Sequence, residues 1–156
     1  MTLKRKFLSG LTWTFAQRFA AQGINFIVSI FLVLQILLKA KKDLSNWTFN
    51  FLALSIAWWA YGYWEWLSST SADSALFWVR IFTVGSILIP LCYFLWSTTL
   101  LGVIRRYIIH FIGLCALCLF FIFHTFSSDL IVKGLEPKLI FPFWPVAGKL
   151  YIYYVL

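Results

Sequence analysis

The chain has 156 residues, of which 62% are hydrophobic, 21% aromatic and only 12% charged, with a formal net charge of +8. Soluble domains carry roughly 45–50% apolar and about 25% charged residues, so this composition excludes an ordinary soluble domain. Its Lys and Arg residues stand at the ends of apolar blocks, a placement that suits membrane topology and anionic headgroups and argues against nucleic acid as a partner.

Residues 1–22 form a basic N-terminal segment, with Lys4, Arg5 and Lys6 followed by Leu8, Leu11, Phe15 and Phe19 at helical spacing on one face. Gln17, Arg18 and Gln22 interrupt the apolar run and no small-residue cleavage site follows, which excludes a secretory signal. The segment reads either as an amphipathic helix lying in the membrane interface or as an extension of the first span out of the bilayer. Residues 23–156 read as one multi-helix membrane domain.

Four apolar blocks follow, with lengths near the roughly 20 residues that cross a bilayer core. The first runs from Gly23 to Leu38 and is closed by Lys39, Lys41 and Lys42; the second runs from Trp47 to Leu67. The third runs from Ala75 to Ile104, with Arg80 near its start and Pro90 inside; the fourth runs from Tyr107 to Phe126, after Arg105 and Arg106. Backbone groups in lipid need partners within their own segment, so these blocks are predicted as helices. The polar run Ser68–Ser74 predicts a loop that ends in a helix cap.

Between Ser127 and Lys149 the sequence holds Gly134, Pro137, Pro142, Pro145 and Gly148, which excludes a regular helix. Ile140, Phe141, Phe143 and Trp144 suit a segment lying at the membrane interface. Leu150–Leu156 reads as the start of a fifth helix. The expected fold is therefore an all-α integral membrane protein with four transmembrane helices, the start of a fifth, and an N-terminal amphipathic segment.

Chemistry-bearing residues are few. Cys115 and Cys118 form a C-x-x-C within an apolar run that offers no further ligands, so they read as small packing residues. Cys92 stands alone in the third block. His110 and His124 lie about 21 Å apart along one helix and cannot share a metal. Asn46-Trp47-Thr48 matches a glycosylation pattern but abuts a membrane segment. No H-E-x-x-H, phosphate-binding loop or nucleophile elbow is present. No catalytic, cofactor-binding or metal-binding residue is assigned, and no cofactor is expected.

Glu65 and Arg80 flank the Ser68–Ser74 loop at similar shallow depth. A charge deep in a membrane costs roughly 2.5–3.5 kcal/mol, so an intramembrane Glu65–Arg80 pair across helices two and three is expected to lower that cost. Pro90 is expected to kink helix three, with Gly85 and Ser86 making room for a neighbouring helix. Orientation stays open: Lys39, Lys41, Lys42, Arg105 and Arg106 lie at one membrane side, and Lys4, Arg5, Lys6, Arg18, Lys133, Lys138 and Lys149 at the other.

Asn46-Trp47-Thr48-Phe49 with Ala57-Trp58, then Ser74-Ala75-Leu76-Phe77-Trp78-Val79-Arg80 and Gly85-Ser86-Ile87-Leu88-Ile89-Pro90, resemble the N-terminal seven-transmembrane region of bacterial histidine kinases. Val132–Lys138 and Phe141-Pro142-Phe143-Trp144-Pro145 with Gly148 resemble its loop after helix four. The resemblance spans about residues 30–156 and departs after Pro90, where Phe94-Leu95-Trp96 replaces the frequent His-Phe. It implies a multi-pass protein of the bacterial cytoplasmic membrane, acting as a sensory input module without the catalytic core and so not as an enzyme. Its implied partners are the lipid bilayer and other membrane helices or a second copy.

Residues 1–32 are similar instead to the start of lipid-linked polysaccharide flippases, through Ser9-Gly10-Leu11-Thr12-Trp13-Thr14-Phe15, Gln22, Phe26 and Ser29-Ile30-Phe31-Leu32. Val33-Leu34-Gln35-Ile36 then departs from that pattern. The alternatives this leaves are a flippase or transporter fragment, or a truncated product without independent function.

Overall fold

The computed structural model describes residues 3–39, 41–138 and 141–155. Helix α1 spans Leu3–Lys39, α2 Leu44–Ser68 and α3 Ala72–Leu100. A 3₁₀ turn at Ile104–Tyr107 runs into α4, Ile108–Ser127. Strands β1, Val132–Lys138, and β2, Phe141–Ala147, precede a short α5, Tyr151–Val155. The apolar blocks fall on α1 to α4, but the third breaks after Leu100, so Leu101–Val103 is a turn where a helix to Ile104 was expected. Ile140 and Leu156 lie outside the described residues, as do the side chains of Leu8, Leu11 and Phe15.

Helix α1 continues unbroken through Gln22 and Gly23, so the basic N-terminal segment and the first apolar block form one element of 37 residues. At 1.5 Å per residue it is about 55 Å long. The turns that follow are set by local chemistry. The Asp43 side chain accepts the Asn46 N–H at 2.8 Å to start α2, and the Ser71 hydroxyl accepts the Ser74 N–H at 3.3 Å to start α3. At the end of α3, Gly102 adopts a φ of 70°, a left-handed conformation that glycine enters without a Cβ penalty.

The helices stack in chain order, α1 on α2, α2 on α3 and α3 on α4, as short connections favour. The α2–α3 contact is close because both helices present glycine. A Cβ on Gly85 would lie 2.8 Å from the Trp59 Cα, and one on Gly62 would lie 3.0 Å from the Phe82 Cβ. These two crossings fix the antiparallel register. Ala53, Ala57 and Ala60 are buried along the same helix, in keeping with small residues at closely approaching membrane helices.

Three helical stretches are long and apolar enough to cross a membrane: Thr12–Lys39, Ala72–Leu100 and Ile104–Ser127. Helix α2 is not among them. Its sequence alternates apolar residues with Asn46, Asn50, four Trp between Trp58 and Trp66, and Glu65, which lower its mean hydropathy.

The all-α expectation needs correction between Ser127 and Lys149. This segment is an antiparallel β-hairpin, with Leu135 opposite Pro145 and Glu136 opposite Trp144. Glycine and proline rightly excluded a helix there, but they also occur in edge strands, where a missing N–H faces no partner. An isolated two-stranded hairpin is marginal in water. This one leans on the helices: Ile131 and Val132 are buried with Trp66, Ala75 and Val79, and Phe141, Phe143 and Trp144 pack on that cluster.

Candidate functional site

The hairpin meets the helices around Trp66, near the C-terminus of α2. Trp66 is 4% exposed, and its indole N–H donates to the Phe143 carbonyl at 2.8 Å. Its ring lies parallel to Phe141 at 6.0 Å and edge-on to Tyr63 at 5.1 Å and Trp144 at 5.8 Å. Aromatic pairs at such spacings add roughly 0.5–1.5 kcal/mol each beyond area burial. The Lys138 ammonium covers the other ring of this group, 5.4 Å from the Trp144 centroid.

The base of the hairpin is closed by backbone bonds. Gly148 N–H donates to the Ile131 carbonyl at 2.9 Å, and Leu150 N–H donates to the Leu130 carbonyl at 2.8 Å. Gly148 lies so close to the Leu130 and Asp129 carbonyls that any side chain would meet them. Beside this closure is an open concavity of about 550 Å³, lined by Ser128, Asp129, Lys133, Gly148 and Lys149.

Arg80 joins α3 to this rim. Its Nη2 lies 3.8 Å from the Asp129 Oδ1, and Asp129 is 74% exposed. The expected Glu65–Arg80 pair is therefore corrected: the ion pair that Arg80 makes is with Asp129, after α4. The two residues lie level along the helix pair but do not face each other. With Gly62 facing Phe82 and Trp59 facing Gly85, Glu65 is level with Val79 and Arg80. Val79, 1% exposed, occupies the packed face, and Arg80 is turned about 100° around the helix from it. Glu65 instead lies against the Tyr61 hydroxyl one turn earlier on α2.

Pro90 lies inside α3, which runs on past it to Leu100. Proline brings no N–H of its own to the helical ladder at the level of Ser86. One residue further, the Ile87 carbonyl accepts from the Cys118 thiol of α4 at 3.6 Å. Cys118 is thus a packing residue with a weak hydrogen bond, and Gly85 gives α2 the room expected of it. His110 stacks near Tyr107 at 5.6 Å, whereas His124 lies at the other end of α4, its Nδ1 3.2 Å from the Ser128 Oγ. Among the described residues, no three His, Cys, Asp or Glu side chains gather as a metal site.

The arrangement is suited to binding and mechanical coupling. It offers cations, aromatic faces and a clamped hairpin. Sequence reasoning missed Trp66 and Asp129. Trp66 is one of several tryptophans in its helix, and Asp129 follows an apolar block with nothing local to mark its partner. Comparison with protein-family models, curated proteins and solved structures finds no match to this chain.

Proposed function

We propose that the chain is a multi-pass protein of the bacterial cytoplasmic membrane in which α1 to α4 all span the bilayer. The observation that carries this reading is its inverted polarity. Large apolar side chains point outward, with Ile109 at 78% and Leu38 at 80% exposure. Polar ones point inward: Ser29, Thr48, Asn50, Ser55, Thr83, Thr98 and Thr125 are all buried. The hydroxyls of Ser55, Thr83, Thr98 and Thr125 donate to carbonyls three or four residues earlier, so they cost little away from water. In water the exposed apolar surface would be an aggregation liability; in lipid it is the solvated face. Helix α2 spans as the inner element, packed between α1 and α3 with Asn50 and Trp66 buried.

Within that frame, the functional reading is a sensory input module of the histidine-kinase type, without a catalytic core. The hairpin would be the receiving element. Trp66 ties it to α2 and the Arg80–Asp129 pair ties it to α3, so a ligand that moved the hairpin would move both helix ends. Pro90 gives α3 a compliant point halfway along, and Cys118 relays it to α4. Such small shifts of packed helices are a known route for switching. The resemblance of residues 30–156 to histidine-kinase input regions supports the same reading.

Topology reporters fused after Lys42 and after Arg106 test it. Both are expected to report the cytoplasm, placing the hairpin outside. If both report the exterior, the flippase-like N-terminal segment dictates orientation and the input-module reading fails.

A further inference from the structure

At the opposite end of the helices from the hairpin, we propose a binding site for a hydroxyl-bearing anionic phospholipid headgroup, of the phosphatidylglycerol type, between the end of α1 and the start of α2. The site is a cavity of about 150 Å³ lined by Ile36, Lys41, Lys42, Asn46, Trp47 and Asn50. Its floor is Asn50, 5% exposed, whose side-chain oxygen Oδ1 has no hydrogen-bond partner. A buried carbonyl oxygen left without a donor carries its full desolvation cost, so a structure that keeps one there gains when a donor enters.

The rim supplies the opposite chemistry. Lys41 and Lys42 are exposed at the mouth. The loop that carries them is held in shape: the Lys41 carbonyl accepts the Asn46 side-chain amide at 2.8 Å and the Asp43 N–H at 2.9 Å. The Asp43 carboxylate is committed to the Asn46 N–H. Two ammonium groups at the mouth and one acceptor at the floor call for a ligand with a phosphate outside and a neutral hydroxyl donor inside.

Depth selects a lipid as the source. Asn50 lies six residues into α2, about 9 Å along the axis from Leu44. Trp47, 46% exposed, stands between them, where an indole marks the headgroup level. Ile36 and Leu37 carry the apolar wall onward to the outer face of α1, where acyl chains would lie. The space takes a small polar head and leaves the chains outside. This site is independent of the hairpin and does not rest on the signalling reading, though it requires that α1 and α2 meet the bilayer.

Native mass spectrometry of the full chain, released from phosphatidylcholine nanodiscs doped with either phosphatidylglycerol or phosphatidylmethanol, tests the site. The two dopants carry the same phosphodiester charge, but phosphatidylmethanol lacks the hydroxyl donors. The intact protein is expected to retain phosphatidylglycerol about tenfold better, the worth of one good hydrogen bond. Asn50→Leu is expected to abolish that preference while still retaining both lipids, and Lys41→Gln with Lys42→Gln to lose both. Because the lysines are exposed, the double variant folds even if Asn50→Leu does not. Equal retention of the two dopants by the unaltered protein would overturn the proposal, as would a preference that survives Asn50→Leu. Competition by free glycerol 3-phosphate at equal concentration would overturn the lipid assignment.

Discussion

Gly85 shows how one missing methyl group can set the packing of two helices. Its Cα lies against the backbone of Trp59, so an added Cβ would sit 2.8 Å from the Trp59 N and Cα atoms, which cannot rotate away. Gly23 and Gly113, by contrast, have nothing within 4 Å of that position. The same substitution therefore changes sign along the chain. Gly85→Ala is expected to lower stability by about 1–3 kcal/mol through overpacking. Gly23→Ala or Gly113→Ala is expected to raise it by up to about 1 kcal/mol through helix propensity. Unfolding of the detergent-solubilised protein by a denaturing detergent, followed by circular dichroism, reads both directions in one assay. The Arg80–Asp129 pair contrasts with this: at 3.8 Å with one partner largely exposed, it is worth only about 0–1 kcal/mol. Its place on the rim is therefore a matter of orientation and chemistry.

The hairpin depends on what it leans against. Its strands have register shifts at both ends and three prolines, so the ladder alone is weak. The Trp66 N–H to Phe143 carbonyl bond at 2.8 Å joins two residues far apart in the chain and anchors β2 to α2. Trp66→Phe keeps an aromatic ring in the cluster and removes that donor from the half-buried Phe143 carbonyl, at a cost of about 1 kcal/mol. The loss should open the hairpin rather than the helices. Trypsin cleavage after Lys133, Lys138 and Lys149 is expected to accelerate severalfold in this variant, with helical circular dichroism unchanged. Equal cleavage rates would show that stacking alone holds the hairpin. Helix α3 shows a similar division of labour: Gly85 lets α2 approach, and Cys118 of α4 reaches the Ile87 carbonyl just beyond it.

Among the described helical residues, polarity is partly inside out. Ser29, Ser55, Thr83, Thr98 and Thr125 are buried, whereas many isoleucines, leucines and phenylalanines of α1 and α4 are exposed. In a bilayer, whose tails are as apolar as leucine, contacts between such helices would rest on close packing, small residues and buried hydrogen bonds. Expressed in bacteria, the chain is expected to stay in the membrane pellet after alkaline carbonate washing and to leave it only with detergent. Release by carbonate would mean that the apolar faces are covered by protein and not by lipid.

What the sequence determined by itself was one-dimensional. Apolar block length marked the stretches that fold as α1 to α4, three of which are long and apolar enough to cross a membrane. Ser71 was legible as part of a capping loop because an N-cap is a local hydrogen bond, and Gly85 was legible because a missing side chain is an intrinsic property. Position along the helices was legible too, since Glu65 and Arg80 flank one short loop at similar distances. Rotation about the helix axis was not, since it depends on which neighbours dock where. Only the packing of Val79 into the α2–α3 interface turned Arg80 away from Glu65 and toward Asp129. The hairpin was hidden for the same reason: its strands are stable only against Trp66 and the ends of α2 and α3, partners distant in sequence. The unpaired oxygen of Asn50 likewise emerged only when α1 folded back over α2, closing a cavity that neither helix contains alone.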